Sequence, residues 1–219
     1  MSSRVVRLVT ALGLVAIVSA LLSPSALGSE ASLTGREFHP RGRLPLTLHA
    51  SAFGEAELDG AVRRAVDDWN TVAREVLGVT AFVPVERAEG AQVVVSVEPA
   101  APAGSSGGTG PMGWAEVKAG ADGVIELPVR IAVAEPRARG QVSRETVLYQ
   151  VVAHELGHAL GLPHVSDPRS IMCCVSGRVD FGDAAVRGAY VEARRHPDVR
   201  SVRMQLAEQY ARVWGQEGR

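Results

Sequence analysis

Residues 154–164 read HELGHALGLPH, and the spacing of the histidines in this segment constrains the chain more than any other feature. His154 and His158 are four positions apart in a run typical of a helix, so both imidazoles project from one face. Gly161 follows where the helix must end, and a residue without a Cβ allows a sharp turn there. After that turn, His164 can return to the same point as a third ligand. The segment therefore predicts a helix and a tight reversal around one zinc ion.

Glu155 lies beside the first histidine and can reach a water on the open side of the metal. Three neutral ligands leave zinc its full charge and a fourth position, where the pKa of water falls towards about 7. Glu155 would take a proton from that water, and the hydroxide would attack a polarised carbonyl. The alternative for any single histidine is a hydrogen-bonded core residue. That alternative explains this pattern poorly, because half of the six histidines fall within eleven residues.

The first 28 residues have the three parts of a secretory signal peptide. Arg4 and Arg7 form the basic start, residues 8–22 carry no charge, and small residues precede the expected cleavage after Gly28. The alternative is a membrane anchor, but a spanning helix needs about 20 apolar residues. We therefore expect a secreted protein without stable membrane association after cleavage. Residues 29–43 then form a short polar lead-in.

Composition excludes several classes of protein. The chain has 219 residues, 46% hydrophobic and 21% charged, which is typical of one globular domain rather than of a disordered protein. The 23 basic and 24 acidic residues nearly cancel, so no nucleic-acid surface is indicated. The two cysteines, Cys173 and Cys174, are adjacent and exclude a disulfide framework. We expect a monomer.

The hydrophobic pattern over residues 44–219 predicts an α+β fold with a mixed sheet. Apolar residues at three- and four-residue steps predict helices over residues 55–77, 145–160, 183–195 and 199–214. Strands are predicted over residues 44–50, 80–85, 91–97 and 124–133. Three successive valines in the third of these strands indicate burial on both faces. Residues 99–113 are rich in Gly, Pro, Ala and Ser and predict a surface loop.

Residues 154–164 resemble the long zinc signature of the metzincin metalloproteases. Members of that family have a methionine turn downstream, and Met172 supplies one eight residues after His164. The segment HVSDP that begins at His164 is similar to the matrixin branch, which carries an acidic residue after the third ligand, here Asp167. A weaker resemblance extends over roughly residues 43–190 and includes a turn at residues 113–115.

The resemblance implies a metzincin-like catalytic domain that hydrolyses peptide or protein substrates. Its mixed twisted sheet would be backed by a long helix and the active-site helix, with a cleft above a small C-terminal helical subdomain. Glu155 would be the general base, and the ligands of one catalytic zinc ion would be His154, His158 and His164. Met172 would lie under the metal or be ordinary core filler. Asp167 would make a salt bridge or hydrogen bond near the cleft, or only form a turn.

The chain departs from animal matrixins around this site. No cysteine precedes it, so a cysteine switch is not expected, and Glu37 or His39 could instead cap the zinc, although a disordered terminus is favoured. Residues 99–122 contain no histidine and one aspartate, so a second zinc ion is not expected and calcium is poorly supported. Cys173 and Cys174 can form a vicinal disulfide, remain free or buried thiols, pair between chains, or bind the zinc.

Two other functions fit the histidine motif. A secreted zinc-binding module without proteolysis is one, and a zinc amidohydrolase of non-protein amides is the other. Glu155 weighs against the first, and His164 with the methionine turn weighs against the second. Residues 175–181, which would shape the specificity pocket, do not define a substrate. The last helix, within an extension over about residues 198–219, is expected to pack on the lower subdomain with a solvated outer face, and binding of a partner is the alternative.

Overall fold

The computed structural model describes residues 33–98, 112–138, 140–174 and 177–215. The signal peptide predicted over residues 1–28 and most of the loop predicted over residues 99–113 lie outside these ranges. No helix in the described ranges is both long enough and apolar enough to cross a membrane.

Five strands form one mixed sheet in the order β2-β1-β3-β5-β4. They are β1 (Leu46–Ala50), β2 (Phe82–Pro84), β3 (Val93–Glu98), β4 (Gly113–Glu116) and β5 (Val129–Ala134). β1 pairs in parallel with β2 and β3, and β3 pairs in parallel with β5. β4 runs antiparallel to β5 at the edge of the sheet. The predicted α+β fold with a mixed sheet is confirmed.

The helices are α1 (Ala56–Leu77), α2 (Arg144–Ala159), α3 (Ala184–Arg195) and α4 (Arg203–Trp214). α1 ends at Gly78, which adopts the left-handed conformation and donates its N–H to the carbonyl of Arg74. α2 begins after Ser143, whose hydroxyl accepts the N–H of Thr146, and α3 begins after a similar cap by Asp183. These local signals explain why the predicted helix ends agree with the structure within a few residues.

α1 joins α2 to the sheet. Trp69 is fully buried, and its indole N–H donates to the carbonyl of Ala153 on α2 over 2.9 Å. The next residue, Asn70, forms hydrogen bonds with the start of β2. Its Oδ1 accepts the N–H groups of Ala81 and Phe82, and its Nδ2 donates to the carbonyl of Phe82. Neighbouring residues of α1 therefore fix the position of α2 relative to β2.

The strand predicted over residues 124–133 is shorter in the structure. β5 begins at Val129, after Pro128, which has no N–H to donate to a ladder. Val124 and Ile125 make isolated bridges to other segments instead of ladder pairs. The predicted strand therefore combined β5 with the preceding residues, which make only isolated bridges.

Two further predictions, one of a turn and one of the burial of a strand, are wrong in detail. Residues 113–115, predicted as a turn, lie in β4. Val93 and Val95 are fully buried, but Val94 between them is only half-buried, so the two faces of β3 are not equally covered. The run of valines therefore reflects β propensity as much as burial on both faces.

The helix predicted over residues 199–214 is divided into a 3₁₀ turn (Val199–Val202) and α4. Its predicted apolar stripe is buried and consists of Val202, Leu206, Tyr210 and Val213. The stripe joins the main core, where α4 contacts α1, so the expectation that this helix packs on a lower subdomain is wrong.

Residues 33–43 of the lead-in pack against the C-terminal part of the chain. His39 is fully buried, with its Nε2 2.9 Å from the carbonyl of Ala159, and Trp214 donates its indole N–H to the carbonyl of His39. The Glu37 carboxylate accepts N–H groups of its own turn, including that of Thr34. The predicted disordered terminus is therefore wrong for these residues, and neither side chain joins the group that could hold a metal.

Candidate metal centre

Three imidazole rings converge beside the last two turns of α2. His154 and His158 project from the last two turns of α2, and His164 follows the turn at Gly161. Nε2 of His154 lies 3.0 Å from Nε2 of His164, and Nε2 of His158 lies 3.1 Å from each of the other two. Within the described part of the chain, these histidines form the one group of His, Cys, Asp and Glu that could hold a metal ion.

Hydrogen bonds on the far side of two rings fix the nitrogen that faces the cluster. Nδ1 of His154 lies 2.8 Å from the carbonyl oxygen of Ile171, and Nδ1 of His158 lies 2.8 Å from that of Leu162. Because a carbonyl oxygen only accepts, each Nδ1 carries the proton and each Nε2 presents a lone pair. Lone pairs this close favour a cation between them. A zinc ion about 2.0–2.1 Å from each nitrogen fits a triangle of this size.

Burial favours the neutral form of His154 and His158. It lowers the pKa of His154 to about 3, and the neighbouring His158 ring adds to the effect. Burial likewise lowers the pKa of His158 to about 4, although the hydrogen bond to Leu162 opposes it. Neutral imidazole is the form that binds a metal, so neither of these two rings has to lose a proton near neutral pH before binding.

Gly161 makes the turn between the second and third histidines. Its φ of +83° lies in the left-handed region, and a Cβ at this position would overlap the carbonyl oxygen of Glu37. The N–H of Gly161 donates to the carbonyl of His158 over 2.8 Å, and the N–H of Leu162 donates to Gly157 over 3.0 Å. Both conformation and space therefore require glycine here.

Glu155 lies on α2 next to the first histidine, is 6% exposed, and faces the edge strand β4. A Cβ added at Gly113 would lie 3.2 Å from Oε1 of Glu155 and 2.5 Å from Cγ1 of Val151. β4 can therefore approach the Glu155 carboxylate only because residue 113 is glycine. Local sequence patterns carry no signal for this contact, because the two residues belong to elements that meet only in the folded domain.

The matrixin family model matches residues 45–181, which include all three histidines and Glu155. The chain belongs to the matrixin family. Membership supports zinc metallopeptidase activity on peptide or protein substrates, and matrixins are typically extracellular. No curated protein matches the sequence significantly. The matched segment ends before α3 and α4.

Met172 of this matrixin lies against the helix that carries the first two ligands. It is fully buried, and a Cβ added at Gly157 would overlap its Sδ and lie 3.1 Å from Cζ2 of Trp69. The N–H of Val165 donates to the carbonyl of Met172 over 3.0 Å, which joins the methionine turn to the residue after His164. Met172 thus supports the ligand helix through packing.

Asp167 forms a turn in the matrixin structure. Its side chain is exposed, and Oδ1 accepts the N–H of Arg169 over 2.9 Å. Its carbonyl oxygen accepts the N–H of Ser170 over 3.1 Å. These bonds agree with the turn-forming alternative for Asp167.

Cys173 and Cys174 form a vicinal disulfide, one of the alternatives that the sequence left open. The disulfide follows Met172 directly, and the N–H of Cys173 donates to the carbonyl of Ser170 over 3.1 Å. The guanidinium of Arg194 donates to the carbonyl of Cys173 over 3.3 Å and also reaches the carbonyl of Ser170. Arg194 on α3 thus forms hydrogen bonds with the residues on both sides of the methionine turn. The sequence alone did not indicate this role.

Proposed function

We propose that this matrixin is a secreted zinc endopeptidase with a single catalytic zinc ion held by His154, His158 and His164. The observation that carries the proposal is the convergence of three Nε2 atoms within 3.0–3.1 Å of one another. Zinc, when bound, supplies Lewis acidity that polarises a peptide carbonyl and lowers the pKa of water towards about 7. No second zinc ion or calcium is part of the proposal.

Glu155 is the proposed general base and later the proton donor to the leaving nitrogen. Its position next to His154 on one face of the site supports this role, as does its burial beneath β4. A carboxylate near the metal can accept a proton from water and return it to the departing amine. Gly161, Met172 and Asp167 have structural roles in the turn, the packing under α2 and the loop after His164.

An extended peptide is the substrate form that β4 favours. β4 is the edge strand, and the outer row of N–H and C=O groups of an edge strand can pair with an added chain. Because β4 begins at Gly113, a peptide paired along it would pass close to Glu155. This arrangement supports cleavage within a chain. Secretion rests on the signal peptide predicted over residues 1–28, and we propose a monomer that binds neither nucleic acid nor membranes.

The test compares wild type with Glu155→Ala in casein hydrolysis and in zinc content. We expect the variant to retain one zinc ion per chain and to lose activity by about 10²–10⁴-fold, the usual contribution of a general acid–base group. Glu145→Ala is the matched control on α2, because it removes only an exposed ion pair with Arg64 worth less than about 1 kcal/mol. Full activity of Glu155→Ala would refute the proposed role.

Assays of the wild-type protein with and without zinc also distinguish the endopeptidase from the two alternative functions. Loss of casein hydrolysis with a chelator and its return with zinc supports the endopeptidase. Zinc binding without cleavage of casein, gelatin or a peptide library would instead favour the zinc-binding module or an amidohydrolase of non-protein amides.

A further inference from the structure

Side-chain hydrogen bonds fix the backbone that leads from α2 to the third histidine. Five successive carbonyl oxygens, those of residues 159–163, each accept from a side chain. The pairs are Ala159 with Nε2 of His39 (2.9 Å), Leu160 with the Tyr210 hydroxyl (3.1 Å), Gly161 with Nε2 of Gln209 (2.8 Å), Leu162 with Nδ1 of His158 (2.8 Å), and Pro163 with Nε2 of Gln205 (2.9 Å). The next residue is His164, so this run ends at the third ligand.

Three of these five donors belong to α4: Gln205, Gln209 and Tyr210. Positions four apart on a helix lie on one face, so Gln205 and Gln209 point in the same direction. The fully buried Leu206 anchors the helix in the core between them. α4 follows the segment that the family model matches, so the motif itself does not include these donors.

Two of the three donors lie where water cannot readily replace them, and the third, Gln205, is partly buried. Gln209 is 2% exposed and Tyr210 is fully buried, and burial raises the pKa of the Tyr210 hydroxyl, so it remains a neutral donor. A buried carbonyl that loses its partner is destabilised by the full desolvation penalty. The loop would therefore shift towards another conformation if these bonds were removed.

We propose that Gln205, Gln209 and Tyr210 are positioning residues of the metal centre, which hold the loop at residues 160–164 so that the third histidine meets the other two. His154 and His158 share one rigid helix, whereas His164 comes from the loop. A loop that is already ordered does not lose conformational entropy when a metal binds. The inference rests on the zinc centre of the proposed function, and it adds α4 to the parts of the chain that determine metal affinity.

The test measures the dissociation constant of Zn²⁺ by competition with a chromophoric chelator, and the visible absorption of the Co²⁺-substituted protein. Gln205→Met keeps the length of the side chain and removes the donor to Pro163. We expect zinc affinity to fall by about 10-fold and the cobalt bands to change, as for other outer-sphere partners of metal ligands. Tyr210→Phe removes only one hydroxyl and should weaken affinity in the same direction by a smaller factor. Glu208→Met is the matched control on the exposed face of α4 and should bind zinc like wild type.

The outcomes separate the inference from the proposed function. If wild type binds no zinc, both are wrong. If wild type binds zinc and both Gln205→Met and Tyr210→Phe bind it within twofold with an unchanged cobalt spectrum, only the present inference is overturned. The same holds if the variants lower the melting temperature of the metal-free protein without any change in zinc affinity. If Gln205→Met does not fold, Tyr210→Phe decides the question.

Discussion

Replacement of Gly113 by alanine should push β4 away from the proposed general base. The new Cβ would lie 2.5 Å from Cγ1 of Val151 and 3.2 Å from both Cγ and Oε1 of Glu155, whereas ordinary contact begins at 3.4 Å. To relieve the overlap with Val151, β4 and α2 must separate by about 1 Å, and overpacking of this size destabilises a protein. Val151 lies on α2, which Trp69 holds to α1. β4 lies at the sheet edge, so the strand is the element that can yield.

This displacement sets the expected magnitude. A misplacement of about 1 Å at a reacting centre lowers the rate by about 10²-fold, and overpacking of this kind lowers stability by about 1–3 kcal/mol. Gly113→Ala alters none of the three histidines, so zinc content should remain that of wild type. We therefore expect kcat/KM to fall by about 10–100-fold with zinc binding intact.

The assay is kcat/KM on a fluorogenic peptide, with zinc content and melting temperature measured on the same preparations. Gly188→Ala on α3 is the matched control, because its added Cβ has no neighbour within 4 Å. In a helix this control should stabilise the protein by about 0.5–1 kcal/mol and leave activity unchanged. If Gly113→Ala kept kcat/KM within twofold of wild type, the proposed dependence of Glu155 on the close approach of β4 would be refuted.

Two further predictions concern stability. Asn70→Leu should lower the free energy of unfolding in urea by about 3–5 kcal/mol, because it removes three buried hydrogen bonds and leaves the N–H groups of Ala81 and Phe82 without their acceptor; a loss below about 1 kcal/mol would contradict this. Burial lowers the pKa of His39 to about 4, so as the pH falls below about 6.5 the unfolded chain takes up a proton before the folded chain does. Chelator-treated wild type should therefore lose about 2 kcal/mol more stability between pH 7 and pH 5 than His39→Gln, and equal losses would show that His39 is not the cause.

The metal site could be predicted because its chemistry is local. The three histidines and Glu155 fall within one helix and one turn, so their spacing alone indicates that they meet. The helix periods and caps are local as well, which is why α1 and α2 follow the predicted ranges closely. The start of β5 was harder to predict because the residues before Val129 are also apolar. Only strand pairing distinguishes a β ladder from an isolated bridge.

The residues that hold the site in place could not be predicted, because they come from distant parts of the sequence. Gln205 and Gln209 look like ordinary polar residues of an amphipathic helix, and only the folded path brings their amides to the carbonyls of Pro163 and Gly161. His39 belongs to a segment whose composition favoured disorder, yet it is fully buried against the end of α2. Hydrogen bonds between distant segments have no fixed offset in the sequence, so no pattern along the chain signals them.

Convergence of the three imidazoles depends on more than the eleven-residue motif. Nitrogen lone pairs 3.0–3.1 Å apart repel one another, so packing elsewhere must hold the rings in place. Trp69 and Met172 support α2 from its buried side, and the carbonyl of Ile171 orients the ring of His154. Ile171 in turn donates its N–H to the hydroxyl of Ser201, just before α4. α2 and the loop that carries His164 are therefore both held by residues outside the motif. The C-terminal segment contributes to this support and packs into the same hydrophobic core as α1 and α2.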